Sequence, residues 1–517
     1  MEKTILIGGA AGLGSAVTSH LIGKILCSLG YYVFDYRDYP SLIKGGNNFN
    51  VLRIADQPVY SHKQKYDIIL ALDQGTINLH KKDLKKGGLI FGNKETGPIV
   101  QKLQGPQILA NDVLIGMFFK HFGVGLKIIL AAVEKEFGSK SDLIKKAVEE
   151  GYQLVETKEK LKKGQLVKYF ISGNEGISIG SIAAGMDLHL AYPMTPASPV
   201  LTFLAKRQLE NNILVFQPEN EIAVVNMALG ASFTGAKVMV GTSGGGFALM
   251  TEAISLSGMA DLPLVIYLAQ RTGPSTGVPT HTAQGDLKFA LNAGHGEFAK
   301  IVVAPGDAKE AIIRTQEAFY LSCKYRTPAI VLGDKHLGES NYTFDELEKS
   351  KLAAVSSPVN RASSYEHNAL GHTVEDIASV IKGHERRIKK IALVEKEFLK
   401  FNPVSVYGPP AGEAGKGSNL IISYGSTKGA IIDALSSLKG FRFLQISYLK
   451  PFPKEAVRRE IKKSRKVILI ENSATGALAD VIAEQTGIII KNKILKYDGR
   501  PFISDDIIKN IKKVDED

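Results

Sequence analysis

Short apolar runs alternate with helical stretches rich in small residues along this chain, a spacing that predicts successive β–α units. Near the N-terminus residues 4–7 read as a buried strand and the glycine-rich stretch 8–14 as a turn. A helix then ends near Gly30, and residues 31–34 form a second strand. Further strands are expected at 50–54 and 67–71, which makes residues 1–138 a first domain. The highly charged, helical stretch 139–168 reads as a linker. Between 169 and 340, four apolar runs read as buried strands: Leu214–Phe216, 236–240, 264–268 and 329–332. An apolar helical run over 177–190 precedes them, and helices over Glu221–Phe233 and 247–259 lie between them. That alternation predicts a doubly wound parallel sheet. Residues 341–418 carry no strand signal and read as a connecting arm. A third α/β domain, 419–517, has expected strands at 420–423, 443–446, Val467–Glu471 and 488–490. The fold class is α/β.

Composition changes this picture little. The 517 residues are 44% hydrophobic and 22% charged, ordinary for a globular protein, and the 51 glycines suit many tight strand–helix turns. A net charge of +12 would permit nucleic-acid binding. The lysines are nevertheless spread along the chain, and the denser groups at 81–86, 158–168 and 462–466 read as solvated helix faces. Such a surface also suits an acidic redox partner or a phosphorylated cofactor. The two cysteines, Cys27 and Cys323, lie far apart with no CxxC pairing. That argues for a reducing compartment, and one chain with two thiols cannot hold a [4Fe–4S] cluster by itself. With no signal-like N-terminus and no run of 18 apolar residues, a soluble cytoplasmic protein without membrane contact is expected.

The Gly8–Gly14 turn only partly resembles a dinucleotide fingerprint, because the middle glycine of G-x-G-x-x-G, counted from Gly9, is Ala11. A pyrophosphate would be approached less closely there, and Asp35, placed where a ribose ligand would stand, reads instead as a capping or turn residue. Chemistry gathers elsewhere, at the C-terminal ends of apolar runs in the second domain, where ligands bind in open α/β sheets. Tyr192-Pro193-Met194-Thr195-Pro196-Ala197-Ser198-Pro199 is a rigid turn presenting the Thr195 and Ser198 hydroxyls; a surface loop without chemistry is the alternative. Gln217-Pro218-Glu219-Asn220-Glu221 opens a helix, with Glu221 in its first turn either as a functional acid or as simple capping. Gly241-Thr242-Ser243-Gly244-Gly245-Gly246-Phe247 reads as a flexible loop over which a planar ligand could lie. Gln270-Arg271-Thr272-Gly273-Pro274-Ser275-Thr276-Gly277 leaves a buried strand with an arginine whose planar fork matches a carboxylate.

Taken together, these motifs resemble the alpha subunit of 2-oxoacid:ferredoxin oxidoreductases. The likeness continues through His367 and Gly371-His372, Lys450-Pro451-Phe452-Pro453, and Lys496-Tyr497-Asp498-Gly499-Arg500-Pro501-Phe502. The first domain, with its N-terminal glycine loop and Gly45-Gly46, resembles the family's gamma subunit, so the chain looks like a gamma–alpha fusion. Ala10-Ala11 and the triple glycine 244–246 depart from the family pattern. The resemblance implies a Rossmann-like gamma domain closing over coenzyme A, a pyrimidine-type thiamine-diphosphate domain, and a transketolase C-terminal-like domain. It implies Glu221 as the catalytic acid at N1′ of the cofactor, where a carboxyl group promotes the imino tautomer that deprotonates C2. Substrate contacts fall on Thr195, Arg271, Tyr192 and Pro193; cofactor contacts fall on Glu221, Thr242, Ser243, Gly244 and Phe247. No Gly-Asp-Gly followed by Asn is present, so the resemblance assigns Mg²⁺, the diphosphate site and a [4Fe–4S] cluster to a beta subunit, in a heterotetramer of two alpha–beta pairs that reduces ferredoxin. Its substrate would be 2-oxoglutarate, pyruvate or both. Two other readings stay open. A non-redox thiamine decarboxylase or synthase would need its own diphosphate motif. A dehydrogenase or nucleotide-binding protein would bind NADH through the first domain.

Overall fold

The computed structural model describes residues 1–40, 46–161, 164, 168–347, 352, 355–356, 359–360, 362–408 and 418–516. Gly45, of the Gly45-Gly46 pair, lies outside the described residues. Two compact units emerge: residues 1–171 with 340–347, and residues 172–339 with 348–517.

The first unit is built on a mixed sheet. Strand Glu2–Ala10, helix Ser15–Ser28 and strand Tyr32–Asp38 follow one another as the apolar pattern predicts. The two strands do not pair, however; Asn47–Ala55 lies between them, antiparallel to both. Asp35 is therefore a buried strand residue and not a cap. It is 1% exposed and accepts hydrogen bonds from Ser19, Asn50 and Asn341, while burial pushes its carboxyl up to about 6. Asn341 belongs to a strand, Asn341–Phe344, in the arm expected to hold none; four residues are too few to show an alternation in sequence. Helix Ser141–Gln153 is likewise not a linker. It buries Ala147, Val148 and Gly151, and Gly116 and Gly151 let it approach helix Ala110–His121 backbone to backbone. Its many charges lie on the solvent face and hide that apolar stripe.

The second unit contains both remaining expected domains. Among the described residues, its larger sheet runs Tyr448–Lys450, Ile301–Val303, Pro328–Asp334, Leu264–Gln270, Val238–Thr242, Leu188–Leu190, Leu214–Phe216. All neighbours are parallel except the first pair. Leu214–Phe216 is an edge strand, not a buried run, with Leu214 59% and Phe216 47% exposed. The apolar run at 177–190 divides into helix Gly173–Ala183 and strand Leu188–Leu190, broken at Gly185, whose φ of 74° suits a glycine. A smaller sheet of Val404–Tyr407, Phe441–Ile446, Asn419–Ser423, Val467–Glu471 and Asn492–Leu495 completes the unit. The last strand begins after the apolar stretch at 488–490, which is not strand.

The two sheets share one core, in which Leu420, Ile422 and Leu444 pack with Val302, Ile330 and Leu332. The Lys428 ammonium is buried between Asp307 and Glu310, and their charges hold it well above the usual lysine range despite burial. Among the described residues, no helix is long and apolar enough to cross a membrane.

Candidate functional site

Four neighbouring strands, Leu264–Gln270, Val238–Thr242, Leu188–Leu190 and Leu214–Phe216, end at the same edge of the larger sheet, and each is followed by one of the polar motifs. Parallel pairing imposes this, since crossover helices return every strand in the same direction.

Glu221 begins helix Glu221–Phe233, whose first turn is capped by Asn220 accepting from the Ala223 N–H at 2.9 Å. Capping is thus done by Asn220, which removes that role from Glu221. The Glu221 side chain is 5% exposed, and its Oε1 has no hydrogen-bond partner among the described residues. A buried carboxylate oxygen left unpaired is costly and points to a missing partner.

The 241–247 segment is not a flexible loop: Gly244–Leu249 is helical, started by Ser243. Its glycines answer to space. A methyl group on Gly246 would stand 2.7 Å from Glu221 Oε1 and collide with Thr242 Oγ1, and one on Gly244 would stand 2.6 Å from Asp286 Oδ2. Thr242 and Ser243 are fully buried, and Ser243 Oγ is also unpaired among the described residues. Phe247 is committed to the core, edge-on to Phe289 at 5.1 Å between ring centres.

Thr242 Oγ1 lies 4.0 Å from Met194 Sδ, joining this segment to the proline-rich turn. Tyr192 and Pro193 are exposed on that turn, and Thr195 is half-buried. Arg271 Nη1 donates to the Thr195 carbonyl at 2.7 Å. Burial pulls the Arg271 guanidinium down, with the Asp286 carboxylate opposing; burial pushes Asp286 up, with Arg271 opposing. Asp286 is fixed in turn by its N–H, which donates to Gln270 Oε1 at 2.9 Å. The structure thus brings Glu221, Thr242, Ser243, Gly244, Thr195 and Arg271 to one edge through contacts running from Glu221 past Gly246 to Thr242, Met194, Thr195 and Arg271.

Several supporting residues carry no mark in the sequence. Asn174, 1% exposed, donates to the Pro196 carbonyl at 3.0 Å and accepts from the Tyr267 hydroxyl at 2.8 Å. The signal that could have located it is the Ser172–Glu175 capping box, which fixes where its helix starts. The segment after Arg271 leans on the smaller sheet: Thr282 N–H donates to Gly499 O, and Gln284 bonds Tyr424 O and the Asn472 N–H. That gives a structural place to the 496–502 motif. His367 bonds Arg386 at 3.2 Å on the arm, apart from these residues.

Residues 179–389 match the family described as "Pyruvate flavodoxin/ferredoxin oxidoreductase, thiamine diP-bdg", and residues 4–154 match "Pyruvate ferredoxin/flavodoxin oxidoreductase". A 2-oxoacid:ferredoxin oxidoreductase subunit alpha from Sulfolobus sp is 31% identical, over 100% of this chain and 98% of the relative. A 2-oxoglutarate synthase subunit KorA from Archaeoglobus fulgidus is 32% identical over 60% of this chain and 90% of its own length. The solved 2-oxoglutarate:ferredoxin oxidoreductase from Magnetococcus marinus, with 2-oxoglutarate, coenzyme A and succinyl-CoA bound, has the same fold. Its TM-score is 0.86 at 24% identity, covering 99% of each chain. The chain belongs to the alpha subunits of the 2-oxoacid:ferredoxin oxidoreductases, and it carries a thiamine-diphosphate-binding domain.

Proposed function

We propose that this chain holds the aminopyrimidine half of thiamine diphosphate against Glu221 and takes the carboxylate of a 2-oxoacid, 2-oxoglutarate or pyruvate, on Arg271 and Thr195. One observation carries the reading: a buried glutamate at a helix start, its Oε1 unpaired among the described residues, beside Gly246, which has no side chain to fill the space at that oxygen. These residues fit the group, because a carboxyl with no protein partner is what a ring nitrogen requires, and the unpaired Ser243 Oγ offers a second polar contact. When bound, thiamine diphosphate supplies a carbon nucleophile and an electron sink for decarboxylation.

The chain's own groups would act around it. Glu221 holds and moves the proton at the pyrimidine nitrogen, and the apolar neighbours Val224 and Val225 keep water away. Arg271, one N–H of which is committed to Thr195, presents other donors of its fork to the substrate carboxylate. The Thr195 hydroxyl, beside exposed Tyr192 and Pro193, orients the oxo or carboxylate oxygen. Subunits of this family work with others, and we assign the Mg²⁺-diphosphate site and a [4Fe–4S] cluster to a beta subunit that passes electrons to ferredoxin. Two cysteines, both buried, cannot supply four thiolates. We also assign coenzyme A as acyl acceptor, by analogy with the Magnetococcus enzyme, which holds coenzyme A and succinyl-CoA, and two alpha–beta pairs as the assembly.

The test is the holoenzyme co-purified with its partner subunit. With coenzyme A and a panel of 2-oxoacids it should reduce a viologen dye. Glu221→Gln should lower kcat by about 10²- to 10⁴-fold while thiamine diphosphate, followed by calorimetry, still binds. Near-normal turnover by that variant would overturn the assignment of Glu221.

A further inference from the structure

The proline-rich turn has a hydrogen-bonding deficit built into its sequence. Prolines 193, 196 and 199 donate nothing, and the turn's internal bonds, from the Ala197 and Ser198 N–H groups, both end on the Met194 carbonyl. The next two carbonyls, of Thr195 and Pro196, are held by side chains from other elements. Arg271 donates to the first at 2.7 Å and Asn174 to the second at 3.0 Å. Two consecutive main-chain oxygens gripped from two directions fix both the position and the tilt of the peptide that carries the Thr195 side chain.

The Asn174 grip is itself fixed. Its amide nitrogen must face Pro196, since a carbonyl oxygen only accepts, and its amide oxygen then receives the Tyr267 hydroxyl at 2.8 Å. Tyr267 is fully buried in the strand that leads to Arg271, and burial keeps its phenol protonated, hence a donor. Space for the pair is left by glycines: a methyl group on Gly338 would stand 2.9 Å from Asn174 Oδ1, and one on Gly333 would stand 3.0 Å from the Tyr267 ring. The strand Leu264–Gln270 thereby sets both ends of the arrangement, through Tyr267 on one side and through Arg271, which follows it, on the other.

We propose that Asn174 and Tyr267 are positioning residues for 2-oxoacid binding, acting through the Pro196 carbonyl on the Thr195 turn. This rests on the reading of that turn as the substrate contact. Asn174→Asp is the sharpest probe: it keeps size and the bond from Tyr267 but turns an oxygen toward the Pro196 oxygen. Tyr267→Phe, which removes one hydroxyl, is the milder second variant should the first fold poorly.

In the holoenzyme, N174D should raise KM for the 2-oxoacid by about tenfold or more, and Y267F by several-fold. KM for coenzyme A and the affinity for thiamine diphosphate should stay within about twofold. In a cycle with Thr195→Val, the double variant N174D/T195V should be less impaired than the product of the single effects, because both act through one peptide. The proposal is overturned if both variants leave the 2-oxoacid KM unchanged, if coenzyme A and 2-oxoacid KM rise together, or if N174D and T195V each raise the 2-oxoacid KM and their cycle is additive. If T195V is silent while N174D raises KM, the Thr195 assignment falls and the positioning of the turn stands. If T195V raises KM and N174D does not, the reverse holds.

Discussion

Arg271 donates from Nη1 to the main-chain oxygen of Thr195 at 2.7 Å, so the arginine that receives substrate in our reading also ties two loops together. A lysine at 271 would keep the charge but lose the planar fork, and so could not hold the turn and a carboxylate at once. Arg271→Lys should raise the 2-oxoacid KM by about 10- to 100-fold, the equivalent of roughly 1.5–3 kcal/mol for a charge-assisted bond. Steady-state kinetics on the holoenzyme checks this, and an unchanged KM would refute it.

Gly246 is predicted to tolerate no side chain. A methyl group there would stand 2.7 Å from Glu221 Oε1 and collide with Thr242. Gly246→Ala should lower kcat by about a hundredfold, the usual penalty for displacing a reacting group by an ångström, without loss of helical circular dichroism. Gly245 is the control: a methyl group there would meet no atom within 4 Å beyond its chain neighbours and its own helix backbone, and Gly245→Ala should be nearly silent.

His189 lies fully buried in the strand Leu188–Leu190, and burial pulls its imidazole from 6.5 down to about 4, with a smaller opposing contribution from the Met239 backbone. Its folded value is below its unfolded one, so folding selects the neutral ring. That contribution is complete above pH 6.5 and is lost as pH falls toward 4, amounting to roughly 3 kcal/mol at about 1.4 kcal/mol per pH unit. His189→Leu should flatten the fall of the urea midpoint between these limits. An unchanged slope would show that other groups dominate.

The first unit offers a test of packing. Methyl groups on Gly116 or Gly151 would run into the main-chain oxygens of Val148 and Val113 on the facing helix. Either Ala variant should destabilise that unit by about 1–3 kcal/mol, visible as a lowered thermal midpoint. A linker helix would not respond.

What is legible in the sequence follows local chemistry. The glutamate at a helix start, the threonine between prolines and the arginine leaving an apolar strand announce themselves because each needs only its immediate neighbours. Elements that depend on distant partners do not. Strand Asn341–Phe344 exists through its pairing with Tyr32–Asp38, some 300 positions earlier, and helix Ser141–Gln153 shows its purpose only against Ala110–His121. The triple glycine suggests flexibility, whereas its constraint comes from Asp286 and Glu221, which neighbouring motifs bring against it.

The sequence by itself determined the α/β class, the order of the motifs and the positions of the acid and the guanidinium to which we assign the chemistry. Periodicity and short-range spacing encode those features directly. The tertiary structure alone decided that the motifs meet, that Asn220 and not Glu221 caps the helix, and that Asn174 and Tyr267 stand behind the proline-rich turn. The physical reason is that parallel pairing gathers strand ends from across the chain at one edge, and the unpaired carbonyls of a proline-rich turn find their donors only there.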